Sequence, residues 1–342
     1  MFQSALFFSS AADCRSQCAW LPRRGDSGIG HANDSESAPL CFTFSPDRPV
    51  LIAGPTASGK SSLALAIAQE QGRAVVNADA LQVFAGWPVL TAQPPQEDHD
   101  IAEHLLYGHL PFDASYSVGD WLRDVTPLLM RRPAPVVVGG TGLYLSALTE
   151  GLAEIPATNP DLRLAATNRR AEIGLEALVN ELDIATRDRI DTQNPMRVQR
   201  AWEVLQQTGK GLVDWQSNTG PALLSPDDAH LIQIAAPPAF LTPRIAARFD
   251  KMMSGGALEE ARAMLPVWNS THQSARAIGA ADLIALLRDE VSESQVIERA
   301  VVATRQYAKR QRTWFRRRMQ HWTVLDAAAL CGDSVQHTRK RP

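Results

Sequence analysis

From Pro49 onward, the hydrophobic residues of this chain fall into short continuous runs, separated by longer stretches rich in helix-forming residues. Three runs, at residues 49–53, 74–79 and 135–140, are dominated by aliphatic side chains and lack the alternation of polar and apolar positions that marks a half-exposed strand. Continuous runs of this kind are typical of parallel strands covered by helices on both faces. The pattern therefore predicts an α/β fold with a parallel sheet flanked by helices.

Beyond the third run, a change in composition divides the chain. Residues 157–221 are charged, helical in pattern and punctuated by prolines, and we interpret them as an inserted helical subdomain. The core then consists of residues 47–156 and 222–325, with a short tail at 326–342. Residues 300–319 contain neither glycine nor proline, so they are predicted to form one long helix.

The first 46 residues differ from the rest of the chain. They are rich in serine, aspartate, glycine and alanine, and they show no sustained periodicity. The apolar stretch at 5–8 is too short for a signal peptide, and the acidic residues at 13, 26, 34 and 36 argue against a transit peptide. We expect residues 1–46 to be a disordered extension, or translated sequence upstream of the true start, that stability and activity do not require.

Composition narrows the class of protein. The chain has 342 residues, 45% of them hydrophobic, and no apolar stretch approaches the roughly 18 residues of a membrane span. Its four cysteines, Cys14, Cys18, Cys41 and Cys331, are not paired with histidines at zinc spacing and do not suggest a disulfide framework. We therefore expect a soluble monomer in a reducing cytoplasm.

Charge is distributed unevenly along the chain. The net charge is −3, yet residues 299–318 contain eight basic residues and no acidic one. Within the predicted long helix, four of these recur at spacings of four, three and four, which places them on one helix face. A one-sided concentration of positive charge indicates a site for a polyanion. The four residues are Arg305, Lys309, Arg312 and Arg316.

A glycine-rich motif follows the first apolar run. Residues 54–61 fit the pattern G-x-x-x-x-G-K-[ST], and a helix-forming stretch comes directly after them. Strand, glycine loop and helix together form the setting in which backbone N–H groups and a helix N-terminus hold a di- or triphosphate. Lys60 adds a full positive charge, and the Ser61 hydroxyl is a candidate ligand for Mg²⁺. The loop consists of Gly54, Pro55, Thr56, Ala57, Ser58, Gly59, Lys60 and Ser61.

The other two apolar runs end in residues that carry chemistry. Asp79 ends the second run, and Thr141 follows the two glycines that end the third. Ligands of parallel sheets bind at the carboxyl ends of the strands. We therefore expect the glycine loop, Asp79 and Thr141 to meet at one edge of the sheet, with a helix N-cap as the alternative or additional role of Thr141.

Taken together, these motifs resemble one enzyme family. The sequence Gly-Gly-Thr-Gly-Leu-Tyr at 139–144 and the sequence Thr-Arg-Gln-Tyr-Ala-Lys-Arg-Gln at 304–311 join the loop and Asp79 in an order that is similar to tRNA dimethylallyltransferases, also called tRNA isopentenyltransferases or IPP transferases. The resemblance extends from about Pro49 to Trp322. The absence of a zinc-finger tail after Trp322 favours the bacterial type.

The resemblance implies a function and a set of roles. Enzymes of this family transfer a dimethylallyl group from dimethylallyl diphosphate to N6 of adenosine 37 in tRNAs that read codons beginning with U, and they release diphosphate. The resemblance makes the loop the diphosphate or nucleotide (ATP) site with Mg²⁺, and it makes Asp79 the general base beside a catalytic Thr141. It assigns tRNA contacts to Asp79, Ala80, Leu81, Gln82, Thr141, Arg163, Met196, Arg197, Val198, Gln199 and Arg200, in addition to the basic helix face.

Departures from the family pattern keep alternatives open. Ala80, Gln93 and Met196 stand where the family usually has serine, lysine and glutamine, which affects the expected nucleotide contacts. A P-loop small-molecule kinase or a free-nucleotide isopentenyltransferase would also use the loop and Asp79. An RNA-binding protein with an inactive catalytic centre would retain only the basic helix.

Overall fold

The structure, a computed structural model, describes residues 44–330. Within this range it contains a six-stranded sheet in which every neighbouring pair is parallel, in the order β3-β2-β4-β1-β5-β6. The strands are β1 (Val50–Ala53), β2 (Val75–Asn77), β3 (His104–Leu105), β4 (Val136–Gly139), β5 (His230–Ala235) and β6 (Thr323–Asp326).

One or more helices connect each strand to the next along the chain, as the crossover connections of a parallel sheet require. They are α1 (Lys60–Gln71), α2 (Pro88–Thr91), α3 (Gln96–Ile101), α4 (Val118–Leu129), α5 (Gly142–Glu150), α6 (Pro160–Asn180), α7 (Ile184–Arg189), α8 (Pro195–Thr208), α9 (Leu212–Ser217), α10 (Pro238–Ser254), α11 (Ala257–Met264), α12 (Ala280–Leu287), α13 (Glu293–Arg318) and α14 (Ala327–Leu330). Between residues 44 and 330, no helix combines the length and the apolar character needed to cross a membrane.

The three apolar runs form the centre of the sheet, as the sequence pattern predicts. The side chains of β1, β2 and β4 are buried along their whole length, because helices cover both faces. The α/β fold is thereby confirmed. The pattern did not predict the other three strands. These are β3, which has two residues, β5, and β6, whose residues are mostly exposed at the edge of the sheet.

The chain divides into two compact units. One contains the sheet and is formed by described residues up to Tyr116, by Asp124–Leu145 and by residues from Pro226 onward. The other is helical and consists of Ser117–Arg123 and Ser146–Ser225. The helical unit is thus wider than the predicted insert at 157–221, and it has its own apolar core, which includes Leu178, Leu182, Val198, Ala201 and Trp202.

Helix α13 includes residues 300–318 of the predicted long helix and begins seven residues before it. Ser292 and Gln295 form a capping box, in which the Ser292 hydroxyl accepts the Gln295 N–H and the Gln295 side chain accepts the Ser292 N–H. From there the helix continues for 26 residues to Arg318. Its length lets one rigid element present different faces to different parts of the sheet unit.

The boundary of the core lies earlier than residue 47. Phe44 is 4% exposed within the main apolar cluster, and the Pro46 carbonyl accepts the Ala134 N–H at 2.7 Å. The buried guanidinium of Arg73 donates to the carbonyls of Ser45, at 2.6 Å, and Ala134, at 2.7 Å. Residues 44–46 therefore belong to the core, although sequence analysis assigned them to the extension. Residues 1–43 lie outside the described residues.

At the other end, the predicted tail also starts too early. Asp326 ends β6, and Ala327, the first residue of α14, is fully buried. The core thus extends at least to Leu330, because β6 and α14 pack at the sheet edge. Residues 331–342 lie outside the described residues.

The packing of Phe44 and the Ser45 carbonyl can be tested by truncation. We expect a chain that begins at residue 47 to be less stable than one that begins at residue 40, by about 3 kcal/mol. The shorter chain loses a buried aromatic ring and leaves donors of the buried Arg73 guanidinium unpaired. The measurement is the free energy of unfolding in denaturant for both chains. Equal values would show that residues 44–46 do not stabilise the core.

His230 should make the stability of the same region depend on pH. Its imidazole accepts the Ser45 N–H at 3.2 Å, and burial, with Arg48 and Arg73 nearby, lowers its pKa to about 4. The folded state thus keeps His230 neutral, whereas the unfolded state binds a proton near its ordinary pKa of about 6.5. Stability from this group is present at neutral pH and is lost as the pH falls from about 6.5 towards 4.

We expect the wild type to lose about 1 kcal/mol more stability between pH 7 and pH 5 than His230→Gln, after allowance for solvent screening of this half-buried group. The glutamine variant retains an acceptor for Ser45 but cannot be protonated in this range. The measurement is denaturant unfolding of both proteins at the two pH values. Identical losses would exclude His230 as the source.

Candidate active site

The glycine loop curls between β1 and α1 as the motif predicts. Ala57 and Gly59 have left-handed backbone conformations, with φ of 64° and 89°, and Gly59 caps the N-terminus of α1. At Gly54, an added Cβ would lie 2.7 Å from the Ser58 hydroxyl oxygen, so the tight turn needs glycine at this position. The loop thus lies at the positive end of the α1 dipole, the setting that favours anion binding.

A small cavity lies directly against this loop. It has a volume of about 90 Å³ and is lined by residues of the loop, of the segment after β2, of α10 and of α13. Among them are Lys60, Ser61, Asp79, Arg248 and Tyr307. The cavity thus brings together the loop and the carboxylate that sequence analysis selected, and it adds two residues that sequence analysis did not assign to the site.

Positive charge dominates the electrostatics of this cavity. Desolvation, with a further contribution from Arg248, lowers the pKa of Lys60 to about 8, while Asp79 acts in the opposite direction. Burial also lowers the pKa of Arg248, again opposed by Asp79. Two cations that face one carboxylate leave an excess of positive charge, which a bound anion would neutralise. The arrangement fits a diphosphate better than a neutral ligand.

A network of hydrogen bonds to the backbone fixes Asp79. The side chain of the fully buried Asn77 accepts the Asp79 N–H at 2.8 Å and donates to the Asp79 carbonyl at 3.0 Å. One carboxylate oxygen of Asp79 accepts the Leu81 N–H at 3.1 Å. These bonds hold the carboxylate in one orientation, as a positioned proton acceptor requires.

Thr141 stands beside Asp79 because two backbone turns touch. The Thr141 N–H donates to the Ala78 carbonyl at 3.2 Å, and the Thr141 hydroxyl accepts the Ala80 N–H at 2.9 Å. The same hydroxyl hydrogen-bonds with Tyr307. Thr141 precedes the first residue of α5, where an N-cap would lie, but these partners belong to other elements. The Thr141 hydroxyl thus joins the two turns, and its role as an N-cap of α5 stays a prediction.

The segment after Asp79 folds back along the cavity. Leu81 and Gln82 line it, and the Gln82 amide donates to the carbonyls of Thr91, at 2.9 Å, and Ala92, at 2.8 Å. Gln93, a departure from the family pattern, donates to the Phe84 carbonyl at 2.9 Å. Gln93 therefore helps to hold the segment in place.

Sequence analysis missed three residues of this site, and all three lie on α10 and α13. They are Arg248, Tyr307 and Gln311. Tyr307 and Gln311 share a face of α13 with Thr304 and Trp314, at spacings of three, four and three residues. This second periodic face lies roughly opposite the basic one and could have been found by the same reasoning that found the basic face.

The basic face of α13 borders a separate groove. Arg305, Lys309, Arg312 and Arg316 all line it, as their spacing predicts, and its volume is about 1000 Å³. Apolar side chains of α10 and α13 form much of its wall, and Asp326 is the one acidic residue of its lining. The groove therefore offers an extended positive surface beside apolar patches.

The candidate RNA contacts of the helical unit divide into exposed and buried side chains. Arg163, Met196 and Arg197 are exposed. Val198 and Gln199 are buried, since Val198 belongs to the apolar core and Gln199 donates to Thr167, at 3.0 Å, and to Glu203. Their side chains are not available to an RNA in this structure, so their assignment as contacts is corrected. Arg200 is half-buried and pairs with Glu203 at 3.8 Å.

The cavity also fits a magnesium ion. Ser61, in the first turn of α1, offers a hydroxyl oxygen, a kind of ligand that Mg²⁺ prefers. Among residues 44–330, no group of three or more histidine, cysteine, aspartate or glutamate side chains could hold a metal. An ion held at Ser61 would complete its shell with water and phosphate oxygens.

Comparison with protein families identifies close relatives. The model described as IPP transferase matches residues 82–318, and the model described as isopentenyl transferase matches residues 48–100. The chain is 56% identical to the tRNA dimethylallyltransferase of Cereibacter sphaeroides over 277 residues, which cover 81% of this chain and 88% of that protein. It is 54% identical to the tRNA dimethylallyltransferase of Ruegeria sp., with 83% and 97% covered.

Solved structures agree with these relatives. The tRNA isopentenylpyrophosphate transferase of Bacillus halodurans is 29% identical, with a TM-score of 0.58 over 82% of this chain and 90% of that chain. A eukaryotic dimethylallyltransferase acting on tRNA shows the same fold, with a TM-score of 0.69 at 24% identity over 82% of this chain and 74% of that chain. Both comparisons support a P-loop NTPase-like arrangement of the sheet and its flanking helices.

Proposed function

Because the chain belongs to the IPP transferase family, we propose that it is a tRNA dimethylallyltransferase, which transfers a dimethylallyl group from dimethylallyl diphosphate to N6 of an adenosine in tRNA. The observation that carries this proposal is the small cavity, where a phosphate-binding loop, an excess of positive charge and an oriented carboxylate meet. Adenosine 37 of tRNAs that read codons beginning with U is the proposed acceptor.

The loop and the two cations hold the leaving group. Backbone N–H groups of the loop, the Lys60 ammonium and the Arg248 guanidinium surround the space for the diphosphate. As the bond between carbon and the bridging oxygen breaks, its electron pair moves to the diphosphate, and these groups stabilise the growing charge. Mg²⁺ at Ser61 would supply further neutralisation of the phosphate oxygens.

Asp79 acts on the acceptor. The adenine N6 forms a bond to the allylic carbon while it loses a proton, and the Asp79 carboxylate accepts that proton. Because a carboxylate is a weak base, the proton leaves late in the step or together with bond formation. Thr141, which bonds to the Ala80 N–H and to Tyr307, keeps the turn beside Asp79 in place.

Reaching N6 requires the adenosine to leave the stacked anticodon loop. Extrusion of a base costs a few kcal/mol, which contacts in the pocket offset. We propose that Leu81 and Gln82 contact the extruded nucleotide, since both line the cavity beside Asp79. The basic groove on α13, together with Arg163 and Arg197 on the helical unit, contacts phosphates of the tRNA.

One experiment separates this function from its alternatives. The protein is incubated with labelled dimethylallyl diphosphate, Mg²⁺ and either unmodified tRNA or AMP. Label in tRNA alone supports the proposal, and label in AMP indicates a free-nucleotide isopentenyltransferase. No transfer together with tRNA binding indicates an inactive RNA-binding protein. In a parallel incubation with ATP and without tRNA, ATP turnover indicates a kinase.

We predict that Asp79→Asn lowers the turnover number by about 10²–10⁴ because the amide cannot accept the N6 proton. Asparagine keeps an oxygen that can accept the Leu81 N–H, so the turn is retained. The measurement is single-turnover transfer together with tRNA binding, which should stay close to wild type. Turnover within a few-fold of wild type would exclude Asp79 as the base.

We predict that the groove makes tRNA binding depend steeply on salt. Arg312→Gln with Arg316→Gln should reduce the slope of log affinity against log salt by about two units, since each lost phosphate contact changes it by about one. Arg317→Gln is the matched control, because Arg317 is exposed on the same helix but does not line the groove. If the double variant and the control have equal slopes, the RNA does not contact the groove.

A further inference from the structure

Helix α13 lies very close to the turn at residues 140–142, which carries Thr141, on the side away from the groove. A Cβ on Gly140 would lie 2.2 Å from the Gln311 amide nitrogen, and a Cβ on Gly142 would lie 2.2 Å from the Trp314 ring. A side chain at either glycine would force Gln311 or Trp314 to move. The position of α13 therefore favours glycine on both sides of Thr141, in addition to any role these glycines have near a ligand.

Gln311 connects this turn with the phosphate loop. Its side-chain oxygen accepts the Thr56 N–H at 2.9 Å, and its amide nitrogen donates to the Gly140 carbonyl at 2.9 Å. The side chain is 5% exposed and also hydrogen-bonds with Tyr307. One side chain thus spans the element that binds the leaving group and the turn that carries Thr141.

The bond to Thr56 has a consequence for the loop. Thr56 lies within the glycine loop, whose inward N–H groups serve the diphosphate. In this structure the Thr56 N–H is directed to Gln311. Gln311 therefore fixes the orientation of the first part of the loop, while Lys60 and Ser61, at the start of α1, line the cavity.

We propose that Gln311 is a positioning residue for dimethylallyl transfer. Its side-chain amide holds the diphosphate loop and the turn that carries Thr141, beside Asp79, at a fixed separation. The inference rests on the proposed function. A bound diphosphate has Lys60, Arg248 and the remaining loop to hold it, so loss of Gln311 affects alignment more than binding. Misalignment by about 1 Å can lower the rate of a reaction step about 10²-fold.

Two substitutions separate positioning from a general structural role. Gln311→Met keeps the length of the side chain and removes both hydrogen bonds. Gln311→Glu keeps an acceptor for the Thr56 N–H, but its ionised carboxylate faces the Gly140 carbonyl with a second acceptor. When this carboxyl is protonated, its hydroxyl can donate to Gly140 and restore the bridge. Gln69→Met, at an exposed position of α1, is the control.

The measurements are kcat and KM for dimethylallyl diphosphate at saturating tRNA, with Mg²⁺ present. For Gln311→Met we expect kcat to fall about 10²-fold while KM changes about threefold or less. For Gln311→Glu we expect the ratio of its kcat to that of wild type to rise as the pH is lowered from about 8 to about 5, because burial at this position raises the pKa of the introduced glutamate above its ordinary value of about 4.3. Gln69→Met should match wild type.

The ratio to wild type removes the pH dependence that both proteins share. The titratable and charged groups near residue 311 are Asp79, Tyr307, Lys60 and Arg248, which line the neighbouring cavity. Recovery of Gln311→Glu at low pH is a result that lost packing alone would not produce. It remains decisive even if Gln311→Met folds poorly.

Three results would overturn the inference. A Gln311→Met protein with wild-type kcat would show that the bridge does not position the site. A Gln311→Glu protein whose ratio to wild type is constant with pH would show the same. A wild-type protein that does not transfer the label to tRNA would overturn the proposed function itself. If the wild type is active and the variants are unaffected, the proposed function stands and only the role of Gln311 is excluded.

Discussion

Close contact between two backbone turns at the carboxyl edge of the sheet determines the geometry of the site. A Cβ on Gly139 would lie 2.0 Å from the Ala78 carbonyl oxygen, so β2 and β4 can end in this arrangement only if that residue is glycine. The contact lets the Thr141 N–H reach the Ala78 carbonyl and the Thr141 hydroxyl reach the Ala80 N–H. Asp79 lies between Ala78 and Ala80, so these bonds hold its backbone beside Thr141, while Asn77 and the Leu81 N–H orient its carboxylate.

The groups that fix Asp79 and the glycine loop in place are uncharged. Asn77, Gln311 and backbone groups fix Asp79 and the loop, whereas Lys60 and Arg248 are left to face the cavity. This division suits catalysis, because a cation already committed to a buried ion pair would stabilise the leaving group less. The lowered pKa of Lys60 reflects the same arrangement, since desolvation and Arg248 both disfavour its charge until an anion binds.

Much of the fold and part of the site could be predicted from local patterns. The apolar runs gave β1, β2 and β4, because strands buried on both faces are continuously aliphatic. The edge strand β6 has no such run, since most of its side chains are exposed, and it was missed. Lys60, Asp79 and Thr141 were found because a motif or a strand end marks each of them. Val198 and Gln199 were assigned by resemblance alone, and burial removes them.

The sequence by itself determined the parallel sheet, the phosphate loop, the carboxylate at the strand end and the basic face of one long helix. Each of these depends on residues that are close together along the chain. Only the tertiary structure decided that Gln311 bridges the loop and the turn that carries Thr141, because Thr56 and Gln311 are 255 positions apart. A contact between such distant residues depends on how α13 packs against the sheet edge, and no local periodicity encodes that packing.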